Sequence, residues 1–310
     1  MKKLLMIIFV LCLLCAGCAP VPAPTPAPEA VAIIGGADGP TTIYLADTLA
    51  PMRIEPGESK AADLNGDGRE ETVSILAVED DPGAEADETV YYFVVTDDTG
   101  KEMLRQCSEA FTYLAYGYVA DVDADGRAEL FFCQTFMSDD LVTKCWRSEG
   151  ETFRGLCFLE RDCETCVSDC YGVIDGFGDN CVRVSAYIDV LGTRGGLREY
   201  VIDGDVFVPA PDSLWDFTSG LPIDDPDTWE FYTLTTAKPL PATINGQPDT
   251  LPAGTALIIT GSDAKTVAAF HTQDGVDGRL AISPSAQGWG WDIAGEPEQN
   301  WFTGYLPYAG

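Results

Sequence analysis

The chain is poor in positive charge. Eighteen lysines and arginines stand against 50 aspartates and glutamates, for a net charge of −32 with a single histidine. Such a surface repels phosphate backbones and anionic lipid and favours cations. The composition therefore argues against nucleic acid as a partner. The lone imidazole, His271, lies in a strand-like run. Imidazole is the usual base near neutral pH, so Ser-His-Asp or Cys-His chemistry has one candidate base here. The sequence contains no G-x-S-x-G elbow, H-E-x-x-H pair, P-loop or dinucleotide fingerprint. Among 50 acids, no carboxylate pair for glycoside hydrolysis stands out. Beyond the N-terminus, the sequence lacks an apolar run of the ~20 residues that a transmembrane helix needs.

What is present begins at the N-terminus. Met1-Lys2-Lys3 precede an apolar run from Leu4 to Leu14, too short to span a bilayer but suited to a secretory signal. The run leads into Cys15-Ala16-Gly17-Cys18. This segment resembles the bacterial lipobox, with Cys15 where that motif usually carries Leu. The resemblance implies cleavage before Cys18, lipidation of its thiol, and an extracytoplasmic, membrane-anchored chain. Residues 1–18 are accordingly expected to be a lipoprotein signal peptide. Residues 19–32 carry proline at alternate positions from Pro20 to Pro28, which disfavours helix and predicts a semi-rigid extended tether.

Eleven cysteines are present. Cys12 and Cys15 lie in the signal and Cys18 is the expected anchor. Cys107, Cys133, Cys145, Cys157, Cys163, Cys166, Cys170 and Cys181 remain, an even number that in an exported chain suggests disulfides of unreadable connectivity. Cys163, Cys166, Cys170 and Cys181 offer the alternative of a zinc or iron–sulfur ligand set.

Residues 33–45 read IIGGADGPTTIYL. The stretch resembles a glycine-rich signature in the β subunit of sodium-translocating decarboxylases, in which the aspartate matching Asp38 is implicated in sodium handling. That family needs many membrane spans, so its activity is not carried over. Gly35-Gly36 and Asp38-Gly39-Pro40 predict a turn before a short strand, Thr42 to Leu45. The segment 33–50 is read as this turn and strand, with Asp38 a candidate ligand-binding residue.

Two acidic loops carry the clearest chemistry. Residues 63–71 read DLNGDGREE and residues 121–129 read DVDADGRAE. Side-chain oxygens stand at positions 1, 3 and 5: Asp63, Asn65 and Asp67, then Asp121, Asp123 and Asp125. Gly68 and Gly126 occupy position 6, where the loop turns sharply. Arg69 and Arg127 can offer backbone carbonyls at position 7, and Glu71 and Glu129 stand at position 9. Hard oxygen donors spaced this way suit Ca²⁺ in a structural role. An EF-hand is a poor fit, because position 12 is Ser74 or Phe132 and strands follow: Thr72–Leu76 alternates, and Leu130-Phe131-Phe132 is a short buried run. The pattern resembles the calcium loops of FG-GAP/VCBS repeats, the integrin-α-like propeller family. That resemblance implies four-stranded blades over residues 51–210. Asp175 to Arg183 is read as a decayed third loop without full coordination.

Residues 211–235 are irregular and are expected to be a linker. Beyond them, turn signals at Asn245-Gly246, Pro252-Ala253-Gly254 and Asp274-Gly275 separate short strands at 256–260, 266–271, 278–283 and 289–293. LPAGTALIIT followed later by DGRLAI resembles a bacterial Src-homology-3-type domain, which implies a small β-barrel over 236–310. Trp289, Trp291, Trp301 and Tyr305 crowd its end; most are expected in the core, and any exposed together would mark a ligand-binding face. The expected fold class is thus all-β, with propeller-like FG-GAP/VCBS repeats followed by a small barrel. The expected function is a calcium-stabilised binding or scaffold lipoprotein whose partner is peptidoglycan, a glycan or a protein. The alternative is a cell-wall- or carbohydrate-active enzyme using unidentified carboxylates.

Overall fold

A computed structural model describes residues 31–34, 42–45, 49–79, 89–136, 140–159, 169–219, 223, 225–286, 288–304 and 306–308. The protein is all-β, as expected, and divides into two compact units, 1–46 and 47–310. No helix among the described residues is long and apolar enough to cross a membrane.

In the first unit β1 (Val31–Ile34) pairs antiparallel with β2 (Thr42–Leu45), with Val31 opposite Leu45 and Ile34 opposite Thr42. The strand expected at Thr42 is there. Its partner begins at Val31, so residues 31 and 32, expected in the tether, belong to a strand. Cys18, the proline-rich stretch and Asp38 lie outside the described residues.

The second unit opens with β3 (Met52–Ile54), and three four-stranded antiparallel meanders follow. The first is β4 (Ser59–Ala62), β5 (Glu71–Val78), β6 (Val90–Thr96) and β7 (Glu102–Cys107). The second is β8 (Thr112–Ala120), β9 (Glu129–Phe136), β10 (Leu141–Glu149) and β11 (Thr152–Phe158), flanked by β3 on β8 and by β12 (Asp169–Cys170) on β10. The third is β13 (Val173–Gly178), β14 (Cys181–Asp189), β15 (Thr193–Asp203) and β16 (Val206–Pro209). Each acidic loop joins the first two strands of its meander. In the third meander that connection shrinks to Asp179-Asn180, with Asn180 left-handed at φ 55. The expected third loop is therefore a tight hairpin, and Asp175 lies inside a strand rather than at a loop start.

Apolar patterning explains the stacking. In β5, Val73 and Ile75 are buried while Thr72 and Ser74 are half-buried, the alternation of a strand with one covered face. In β9, Leu130, Phe131 and Phe132 are all fully buried, so the second sheet is covered on both faces. Phe132 and Leu130 join Ile75, Phe93 and Val95 of the first sheet in one core, and Phe131 and Tyr118 join Val184, Tyr200 and Phe207 of the third in the other. Gly117 marks how closely the first two sheets approach: a β-carbon there would lie 2.8 Å from the Phe93 ring.

The segment read as a linker is structured. β17 (Trp215–Asp216) pairs with β15 on one side, and its Trp215 side chain is buried. Asp225 then caps α1 (Pro226–Tyr232) by accepting the Asp227 N–H, with proline in the first turn. The Asp-Pro text that reads as irregular is the start signal of a seven-residue helix.

The C-terminal strands are β18 (Leu234–Thr236), β19 (Leu240–Ile244), β20 (Gln247–Leu251), β21 (Ala256–Ser262), β22 (Val267–Thr272), β23 (Asp277–Pro284), β24 (Trp291–Ile293) and β25 (Glu296–Pro297). A 3₁₀ turn, η1 (Glu298–Asn300), precedes β26 (Phe302–Thr303). β21, β22 and β23 form a meander; β18 pairs with β21 and β26, and β19 with β20 and β23. β17 also pairs with β21, so it joins this module to the third meander.

Candidate functional site

The two acidic loops share one internal frame. In the first, Asp63 accepts from Asp67 N–H at 3.1 Å and Gly68 N–H at 2.8 Å. In the second, Asp121 accepts from Asp125 and Gly126 N–H, both at 3.0 Å. The glutamate at position 9 reaches back in both. Glu71 Oε2 accepts the Leu64 N–H and Glu129 Oε2 the Val122 N–H, each at 2.8 Å. Position 4 is left-handed in both, at Gly66 (φ 74) and Ala124 (φ 57). The loops also touch: Ala128 N–H donates to Leu64 C=O at 2.9 Å, and a β-carbon on Gly66 would lie 3.3 Å from the Gly126 oxygen.

The loops differ in their charge partners. Glu129 is fully buried, and burial pushes its carboxyl up to about 7 against the pull of the Val122 N–H and Arg147. Burial likewise raises Glu71 and Asp121. Arg147, from β10 directly opposite Glu129, donates Nε to Glu129 at 2.7 Å and Nη2 to Asp123 at 2.6 Å. Among the described residues no arginine serves Glu71 in this way; its second oxygen takes the Asn65 amide at 3.4 Å. The arginines at position 7 face other acids, Arg69 pairing with Asp98 and Arg127 with Asp125.

Ligand atoms of Asp121, Asp123 and Glu129 lie within 4.8 Å of one another, the one such acidic, histidine or cysteine trio among the described residues. Asp123 Oδ1 is buried without a hydrogen-bond partner. Clustered hard oxygens and an orphaned carboxylate oxygen could hold a metal ion. The structure thus gathers Asp121, Asp123 and Glu129. It leaves Asp125 bonded to Arg127, and it does not draw the acids of the first loop into a matching trio. Arg147 had no signal in the sequence, since its role follows only from strand register.

Cys133, Cys145 and Cys181 are free, buried thiols, with burial pushing Cys133 up to about 11. These three therefore stand outside the disulfides that the even number of cysteines suggested. Cys157 is disulfide-bonded. Cys163 and Cys166 lie outside the described residues, as does the side chain of Cys170.

Trp291 and Trp301 are core residues, as expected of most of the aromatics. Their indole N–H groups donate to Asp189 C=O at 2.7 Å and Ile293 C=O at 2.9 Å. Trp289 is 68% exposed and packs against Tyr308 with ring centroids 4.7 Å apart. It borders two hollows of about 300 and 330 Å³ that share Trp291 and Tyr308 as walls. Tyr305 lies outside the described residues. His271 meets Asp277 across the β22–β23 pair at 2.7 Å, an exposed cross-strand contact.

Fold and site together define an all-β protein of stacked meanders with acidic loops. Comparison with protein-family models, curated proteins and solved structures returns no match.

Proposed function

We propose that this chain is an exported lipoprotein, anchored through Cys18, that acts without catalysis as a calcium-stabilised binding or scaffold protein at the cell envelope. One observation carries the calcium reading. Two loops of one pattern occupy the same strand connection in adjacent meanders, and the second gathers Asp121, Asp123 and Glu129 around a buried, partnerless carboxylate oxygen. Asp63, Asn65, Asp67 and Glu71, with the Arg69 carbonyl, would hold the ion in the first loop. Asp121, Asp123, Asp125 and Glu129, with the Arg127 carbonyl, would hold it in the second. Bound calcium neutralises these carboxylates and pins each loop. The repeated meander supports the FG-GAP/VCBS reading. The β18, β21, β22, β23 and β26 layout, with a 3₁₀ turn before the last strand, supports the Src-homology-3-type reading. The exposed Trp289 beside two hollows supports a binding role.

Thermal melts in EDTA and in calcium test the ion. At a hundredfold excess over Kd a single site adds about 2.7 kcal/mol. A melting temperature indifferent to both calcium and EDTA refutes calcium stabilisation. Membrane fractionation of Cys18→Ala tests the anchor: the variant is expected in the soluble fraction, and unchanged membrane association refutes it.

A further inference from the structure

The aromatic groove beside Trp289 has a chemistry of its own. Its larger faces are π-systems: exposed Trp289, the Trp291 ring and Tyr308. Its charged groups are carboxylates. Glu298 lines one hollow and Asp189 the other, and among the described lining residues neither hollow contains a lysine, arginine or histidine. Glu298 is 1% exposed and forms no ion pair among the described residues. Both its oxygens accept from the Tyr308 hydroxyl at 2.9 Å, which fixes the carboxylate against the ring that Trp289 packs on. Asp292, close by, carries a buried oxygen without a hydrogen-bond partner.

A buried carboxylate with hydrogen bonds but no counter-charge, walled by aromatic faces, is an environment that lacks a cation. An organic ammonium meets every element of it. Its charge answers Glu298 and Asp189, and its methyl or methylene groups lie against the indole and phenol faces. A neutral sugar would stack on Trp289 and could donate its hydroxyls to the carboxylates, but it would leave their charge unbalanced. The Trp291 N–H, a donor such a ligand would use, is already given to Asp189.

We propose that the groove formed by Trp289, Trp291, Tyr308, Glu298 and Asp189 binds an alkylammonium group carried by a small molecule or a larger ligand. The proposal deepens the binding role above and rests on it, while remaining independent of calcium.

Choline chloride and its neutral isostere 3,3-dimethyl-1-butanol test the pair of interactions. Each is titrated into the folded chain labelled with ¹⁵N at its six tryptophan indoles. Choline is expected to shift the Trp289 indole signal saturably, with a Kd of roughly millimolar order, and the isostere is expected to leave it in place. Trp289→Ala, which alters an exposed side chain, should weaken choline binding about tenfold, read from the Trp291 indole signal. Glu298→Gln should do the same, with the Trp215 and Trp301 signals reporting that the fold is intact. Equal responses to choline and the isostere would make the groove merely apolar and overturn the proposal. So would no response to either, or wild-type affinity in Glu298→Gln. A calcium melt on the same sample shows separately whether the calcium-stabilised reading stands.

Discussion

Replacing Arg147 with methionine removes the buried positive charge that serves Asp123 and Glu129 of the second acidic loop. The guanidinium is 7% exposed and Glu129 fully buried, so solvent screens their contact little. Methionine keeps much of the side chain's bulk, which leaves charge as the main change. Breaking a buried pair by removing one partner costs about 3–5 kcal/mol, because the remaining charge stays desolvated. Glu129 can escape part of that cost by taking up a proton. Its folded value of about 7 already lies above the ordinary 4.5 and rises further once the arginine is gone. An acid whose folded value is raised contributes most at low pH and loses that contribution as pH rises through the folded value. The gap between variant and wild type is therefore smallest near pH 5 and largest above pH 8. At pH 8 in EDTA a loss of about 3 kcal/mol corresponds to roughly 6–12 °C in Tm for a chain of this size. Glu129→Gln combined with Arg147→Met removes both charges and should recover most of the loss. Calcium should narrow the gap, since a bound ion supplies the charge that the arginine gave. Thermal and urea melts across pH measure all of this. A single variant within about 1 kcal/mol of wild type at pH 8, or a double variant no better than the single, refutes the assignment of Arg147 as the loop's internal counter-ion.

Two further outcomes follow from packing and burial. Phe132→Ala, which empties a fully buried position beside Phe93 (centroids 5.5 Å apart), should cost about 3–5 kcal/mol in a urea melt. Burial raises the Glu298 carboxyl above its ordinary value, so its contribution to stability should fall as pH rises through the folded value, and Glu298→Gln should flatten that slope in melts from pH 4 to 8.

The parts of this fold legible in the sequence are those set by local chemistry. The D-x-[DN]-x-D-G-x-x-E spacing places both loops, because glycine at position 6 and oxygens at odd positions impose one backbone path whatever surrounds them. The alternation around Val73 and the unbroken run at Leu130–Phe132 foretell one covered face and two, and the structure stacks the sheets accordingly. What escapes is decided by register and by distant neighbours. Arg147 reads as one more strand charge until β10 sets it opposite Glu129. Trp289 and Trp291 are alike in sequence, yet the Asp189 carbonyl at the end of β14 claims the Trp291 indole, while Trp289 is exposed. The tight turn at Asn180 keeps the Asp and Gly of a loop without its length. A nearly empty stretch of pattern between 211 and 235 hides Trp215, whose burial depends on partners on both sides.

That two-residue strand decides what can be inherited as a module. The last 75 residues look like a cassette that recombination could lift out whole, but their seam is not at residue 236. Trp215 and Phe217 are buried, the Phe217 N–H is held by Thr260, and Thr193 N–H is held by Pro307. A transplant beginning after the helix would keep β22 on one side of Gly261 and Ser262 but take β17 from the other, and would strip the third meander of its cover. Any lineage that shuffles this C-terminal piece must carry the stretch from 211 along with it, together with a meander shaped to receive Trp215.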